Sequence, residues 1–222
     1  MSFPAFPRQS LEFLQGISIN NNKAWFEAHR ADYDTAYVGA GKAFVAAAGE
    51  VLTAIAPEIQ AQPKVNGSIF RINRDIRFAA DKRPYKDHLD FWFWEGQRAG
   101  AVSGFFARLT PDTFGIGVGC HGFDKARLAT FRSRLSQGLD QVASEISGAG
   151  YALEGQHYTR VPTGMDERAP GGAFARHGAL FVHVECDAEV ALDGDALQAA
   201  CTTHWQALAP LHRWLIDQVQ NG

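Results

Sequence analysis

Three segments in the middle of the chain alternate with a period of two, and hairpin-length linkers join them. Residues 89–94 read L-D-F-W-F-W, aromatic on both faces, and residues 102–109 follow as a second segment. In residues 113–119, Phe114, Ile116 and Val118 alternate with Gly115, Gly117 and Gly119. Successive side chains of a strand point to opposite faces, so each segment reads as a strand. With linkers at 95–100 and 110–112 they form an antiparallel meander. The glycine face of the last strand lets backbone or ligand approach closely.

Helical patterns flank this meander. Ser10 reads as the cap of a helix carrying Leu11, Phe13, Leu14 and Ile17. Asn20-Asn21-Asn22 reads as a stop and restart, and Trp25, His29, Tyr33 and Tyr37 then recur at spacing four on one face. Gly39 and Gly41 weaken that segment before an Ala-rich helix runs from Phe44 to Ile55, ended by Pro57. Asp124 reads as the cap of a helix reaching Ser147, with Leu128, Phe131, Leu135, Leu139, Val142 and Ile146 as its buried seam. Residues 151–178 are loop-rich, 180–186 read as a strand, and Asp195 starts a last helix buried through Trp205, Leu208, Leu211 and Leu215. Helices, then strands, then a helix make an α+β fold. No boundary divides residues 1–222, so a single domain is expected, its antiparallel sheet packed by N-terminal, central and C-terminal helices.

With sixteen Phe and five Trp among 222 residues, the core needs no metal or disulfide. Three cysteines, Cys120, Cys186 and Cys201, are an odd set without a close pair, which fits reduced thiols and a cytoplasmic location. No signal peptide and no apolar run of membrane-spanning length is evident. A net charge of −3 weighs against a protein coated in nucleic acid.

Against that balance, residues 71–88 hold six of the 21 Lys and Arg residues with three Asp, a local charge of +3 that leaves −6 for the rest. From Asn66-Gly67 onward the alternation predicts a half-buried strand, with Phe70, Ile72, Ile76 and Phe78 inward and Arg71, Asn73, Asp75 and Arg77 outward. Same-face residues on a strand lie nearly 7 Å apart, roughly twice the rise per residue, which suits several oxygens of one ligand. Arginine offers a planar fork of donors to phosphate or carboxylate. The following A-A-D-K-R-P-Y-K reads as a loop that brings Lys82, Tyr85 and Lys86 to the strand end. The ligand-binding set is therefore Arg71, Asn73, Arg74, Arg77, Lys82, Tyr85 and Lys86. Alternation puts Arg74 on the opposite face, so it needs a bulge or reaches an Asp instead. The competing reading is an internal network in which Arg71, Asp75 and Arg77 neutralise one another.

The stretch R-D-I-R-F-A-A-D-K-R-P-Y-K-D-H at 74–88 resembles the signature of the family called domain of unknown function 2461. N-N-N-K-A-W-F at 20–26 is similar to that family's N-N-x-x-W-F segment, and G-I-G-V-G at 115–119 to its glycine-alternating strand. The similarity spans nearly the whole chain. One segment departs: the family's basic L-K-R-x-P-x-G reads Y-T-R-V-P-T-G at 158–164, keeping Arg160, Pro162 and Gly164 but one positive charge short. The resemblance implies a soluble single domain and no known activity.

Other chemistry is weaker. The eight histidines show no ligand spacing, and His183 with Glu185 reads as a solvated strand face, so no metal site is expected and no cofactor is indicated. Cys120-His121 are adjacent, which is not how a Cys–His pair is built, and no nucleophile elbow is present. Residues 115–119 lack the Lys-Ser/Thr of a phosphate loop. Trp25, Trp92, Trp94, Phe105 and Phe106 would serve as stacking platforms for nucleic acid, but they read mostly as core. Whether the chain is an enzyme stays open. If it is one, positioned cations would stabilise developing negative charge, with Asp75 or Asp81 as the base. The expectation is a cytoplasmic protein that binds a small anionic or phosphorylated ligand at 71–88. A structural or protein-interaction module is the alternative and a nucleic-acid binder the third reading; oligomeric state is left open.

Overall fold

The computed structural model describes residues 2–98 and 101–222. The chain opens with α1 (Arg8–Ile19), α2 (Lys23–Ala28), a single turn α3 (Arg30–Asp32), a π-helical stretch (Tyr33–Gly39) and α4 (Ala40–Ile55). A short β1 (Ile59–Gln60) precedes a long irregular stretch and then β2 (Leu89–Glu95), β3 (Gly104–Leu109) and β4 (Thr113–Cys120). There follow α5 (Lys125–Arg134), α6 (Leu139–Gly148), β5 (Glu154–Gln156), β6 (His177–Asp187) and α7 (Gly194–Leu215). The fold is α+β: an open antiparallel sheet in the order β1-β2-β3-β4-β6-β5, with helices packed on it. The meander read from periodicity is β2-β3-β4. Its first linker runs into Ala99 and Gly100, which lie outside the described residues.

Helix starts follow side-chain chemistry. Asn22 accepts the Trp25 N–H at 3.0 Å, and Asp124 accepts the Arg127 N–H at 2.8 Å, so both cap as expected. Ser10 does not: Pro7 precedes α1, and the buried Ser10 hydroxyl donates to the Ala36 carbonyl at 2.6 Å. The last helix, expected to start at Asp195, starts at Gly194 and is capped by Asp193, which accepts the N–H groups of Asp195 and Ala196 at 2.9 and 3.1 Å. The helix expected from 124 to 147 is two helices, because Gly138 takes φ 82° between α5 and α6.

One apolar stretch does reach membrane-spanning length and composition, contrary to expectation: the 26-residue helical run Arg30–Ile55. It continues through Gly39 and Gly41, where the sequence looked weakest. Ala36, Tyr37, Phe44, Val45, Ala48 and Leu52 along it are buried and form its inner face, while 33% of the apolar window as a whole is buried.

The chain forms two compact units. The first (Met1–Phe93, Phe106–Ile116, Glu185–Thr203) is built around Phe44, whose ring centroid lies 4.7 Å from Phe91, 5.5 Å from Phe6 and 5.9 Å from Phe114. The second (Trp94–Phe105, Gly117–Val184, His204–Gly222) buries Phe105, Phe131, Leu135, Leu139, Trp205 and Trp214. Here the buried Ser103 hydroxyl meets His212 Nδ1 at 2.9 Å, and Trp214 Nε1 donates to the Gln137 carbonyl at 2.7 Å. Gly119, at φ 131°, lies where a Cβ would overlap the Leu180 carbonyl and the Phe181 Cα. At this glycine it is the backbone of β6 that approaches β4.

Candidate functional site

The basic segment belongs wholly to the first unit, and it is not the strand that alternation predicts. Bridges join Ile69 to Phe91 and Asn73 to Tyr85. The Arg74 N–H meets the Pro84 carbonyl at 2.9 Å and the Lys86 N–H meets the Ile72 carbonyl at 2.8 Å. Residues 72–74 and 84–86 thus form the neck of a loop whose apex is 75–83. Phe78, expected inward, is 96% exposed at that apex.

Turn chemistry explains the difference. Asp75 Oδ1 accepts the Arg77 N–H at 3.2 Å, and Asp81 Oδ1 accepts the Arg83 N–H at 3.0 Å. A carboxylate that bonds its own chain two residues on competes with a ladder for the same donors. In both turns the arginine also folds back on its aspartate. Arg77 Nε and Nη2 reach Asp75 at 2.9 and 2.6 Å, and Arg83 Nε reaches Asp81 at 2.8 Å. The apex is therefore a tandem of two Asp-x-Arg turns. Arg74 joins the second, bonding Asp81 Oδ2 at 2.7 Å and the Arg83 carbonyl at 3.1 Å. Lys82 Nζ donates to the Ile76 carbonyl at 2.9 Å across the apex.

These bonds set the charge states. The Arg77 guanidinium holds the Asp75 carboxyl below the usual range, and the backbone and side chain of Arg83, with Arg74, hold Asp81 well below it. Both carboxylates are weak proton acceptors at neutral pH, which counts against either as a general base.

The loop's root is a different environment. Asp90, on β2, is mostly buried, with 13% of its side chain exposed. Its carboxylate meets Lys86 Nζ at 2.9 Å, Arg108 Nε at 2.6 Å and His88 Nε2 at 3.3 Å. His88 Nδ1 in turn lies 2.9 Å from Asp87. Burial alone would raise the Asp90 carboxyl. The hydrogen bond from His88 and the charges of His88, Arg108 and Lys86 outweigh it and hold it well below the ordinary range. Lys86 also lies over the Phe70 ring, 4.8 Å from its centroid.

A third contact fixes the loop to the N-terminal helices. The Asn21 side chain bonds both backbone groups of Tyr85: Nδ2 donates to its carbonyl and Oδ1 accepts its N–H, each at 3.0 Å. The Tyr85 ring is buried and stacks on Phe26 at 4.5 Å.

The seven residues named from sequence therefore fall into two groups. Arg71, Asn73, Arg77 and Lys82 are exposed, and Arg74 is half-buried beside Asp81. Tyr85 and Lys86 face inward, on Phe26 and on Asp90. Sequence reasoning did not single out Asp90, Arg108 or Asn21. The signal for the first two was present: Asp90 is the lone acid inside L-D-F-W-F-W, and Arg108 the lone base inside F-F-A-R-L.

Elsewhere, all three cysteines are unpaired, and burial pushes the Cys120 and Cys201 thiols up. His183 lies 3.0 Å from Glu154 on exposed surface. Among the described residues no three His, Cys, Asp or Glu side chains gather as a metal site would require.

No curated protein matches the chain. The family model of the conserved hypothetical proteins called DUF2461 matches residues 9–214, nearly the whole chain, from α1 through the loop and the sheet to the end of α7. The chain belongs to that family, domain of unknown function 2461.

Proposed function

We propose that the loop at 71–88 receives a small anionic or phosphorylated ligand at its apex, while its root serves as a structural clamp. The tandem of Asp-x-Arg turns carries this reading. Each turn ties its exposed arginine to the aspartate through both backbone and guanidinium, Arg77 by its N–H, Nε and Nη2 and Arg83 by its N–H and Nε. A guanidinium has five N–H donors, so Arg77 and Arg83 keep donors for a ligand after binding their aspartates. Groups already held in place lose less freedom on binding. The field favours an anion too. Around the loop, Arg71, Arg74, Arg77, Lys82, Arg83, Lys86 and Arg108 face Asp75, Asp81, Asp87 and Asp90, seven cations against four carboxylates.

A second reading, that the whole segment is an internal network, draws on Asp90, whose partners lie within the fold. The two are separable by thermal melting against phosphorylated metabolites, nucleotides, short oligonucleotides and inorganic anions. A ligand at about 100 times its dissociation constant adds roughly 2.7 kcal/mol, and a chain of this size gains about 2–4 °C per kcal/mol. The expected result is a selective shift of several degrees that is lost in Arg77→Ala, whose own melting temperature matches the wild type. A flat panel would leave the segment a clamp. A shift confined to oligonucleotides and steeply weakened by salt would move the reading to nucleic acid.

A further inference from the structure

The strands of the first unit have two faces, and only one of them turns to α4. Phe91 and Phe93 of β2 and Phe114 of β4 point to Phe44 of α4, at centroid distances of 4.7, 6.5 and 5.9 Å. Side chains alternate along a strand, so Asp90 and Trp92 of β2 stand on the opposite face. Arg108 of β3 shares that face, because its Nε meets the Asp90 carboxylate at 2.6 Å. Phe106, two residues before Arg108, points the same way. β2 and β3 are adjacent antiparallel strands, so the Asp90–Arg108 bond makes Trp92 and Phe106 cross-strand neighbours as well. All four residues belong to the first unit.

This face is accessible. Trp92 and Phe106 are both partly exposed, and the Arg108 side chain is 54% exposed. Arg108 gives Asp90 only its Nε, which leaves the donors of both Nη groups. Among the described residues the Trp92 indole N–H has no hydrogen-bond partner. Asp90 has no oxygen to spare, since Lys86 Nζ and His88 Nε2 hold the other one at 2.9 and 3.3 Å. The polar groups left over are therefore donors, and Lys86 and Arg108 against Asp90 leave a positive excess. Same-face residues on a strand lie roughly 7 Å apart, so a ring platform and a guanidinium stand within reach of one small molecule. Flat rings beside surplus donors are complementary to a flat ligand that brings negative acceptors.

We propose that Trp92 and Arg108, with Phe106 beside them, bind a planar aromatic ring that carries an oxyanion, either a carboxylate or a phosphate ester. The ring stacks on Trp92, and the oxyanion takes the Nη donors of Arg108. Arg77 and Arg83 at the loop apex take no part in it.

The test follows the tryptophan indole N–H resonances of the full chain by 1H–15N NMR, with Trp92 assigned through Trp92→Phe. Benzoate and phenyl phosphate are titrated at constant ionic strength. Acetate and methyl phosphate control for charge without a ring, and benzyl alcohol for a ring without charge. The expected result is a Trp92 shift that saturates with the two ring anions alone, with nuclear Overhauser contacts from the probe ring to Trp92. Arg108→Gln should weaken binding about tenfold, and Arg77→Ala should bind as the wild type does. Tighter binding of benzoate identifies a carboxylate as the group taken; tighter binding of phenyl phosphate identifies the phosphate ester. Shifts that never saturate, that benzyl alcohol reproduces, or that vanish in Arg77→Ala would overturn the proposal. So would unchanged binding in Arg108→Gln, or probe contacts to another tryptophan in place of Trp92. The contacts are read in the wild type, so they decide the matter even if Arg108→Gln fails to fold.

Discussion

Asp90 is the residue on which the loop's root turns. It is the one mostly buried carboxylate shared by Lys86, His88 and Arg108. Removing one member of a buried ion pair leaves the others desolvated without a partner, at a cost of roughly 3–5 kcal/mol. Arg108 is half exposed, so Asp90→Ala is expected near the lower figure, read as a fall in the urea midpoint without a change in slope. An unaltered midpoint would show that the clamp contributes nothing. The same carboxyl predicts a pH dependence. Its folded value lies below the unfolded one, near 3.9. The native state therefore prefers the charged form, and the stabilisation is complete above about pH 4 and lost as pH falls further. Wild type should thus lose stability below pH 4 more steeply than Asp90→Ala; parallel curves would show that Asp90 has no part in acid unfolding.

At the scale of elements, the strands of the meander and the helix caps at Asn22 and Asp124 were legible, because periodicity and capping act through a few neighbouring residues. The strand at 70–78 was misread although its alternation was regular. Asp75 and Asp81 bond backbone two residues on, and that local chemistry outweighed the pattern of Phe70, Ile72, Ile76 and Phe78. The repeated D-x-R, visible in the sequence, was the available signal. Of the candidate site, the exposed arginines were legible as charge. Asp90 and Arg108 were passed over although each stands as a lone charge in an apolar strand, and Asn21 was hidden because its partner, Tyr85, is distant in sequence. The split between α5 and α6 was hidden because Leu128, Phe131, Leu135 and Leu139 keep one seam across it; only Gly138 marks it. That glycine has φ 82° and open space where a Cβ would go. Gly138→Ala therefore isolates the backbone cost, about 1–2 kcal/mol. A stability equal to wild type would mean that the turn relaxes to another conformation.

For the molecule as a whole, the family match and the α+β architecture agree with what the sequence led one to expect, and the ordering of helices around a meander is why. The last consequence belongs to Phe78. An aromatic side chain 96% exposed at a loop apex is presented to proteases, between a neck at 72–74 and 84–86 that holds both sides of the loop. Limited chymotrypsin is expected to cut first after Phe78, giving fragments that stay associated and separate only in denaturant; first cleavage elsewhere would show that the apex is shielded. Cleavage would then become a reporter of occupancy, because a ligand seated on Arg77 would slow the cut beside it, and the bound fraction could be read from a gel.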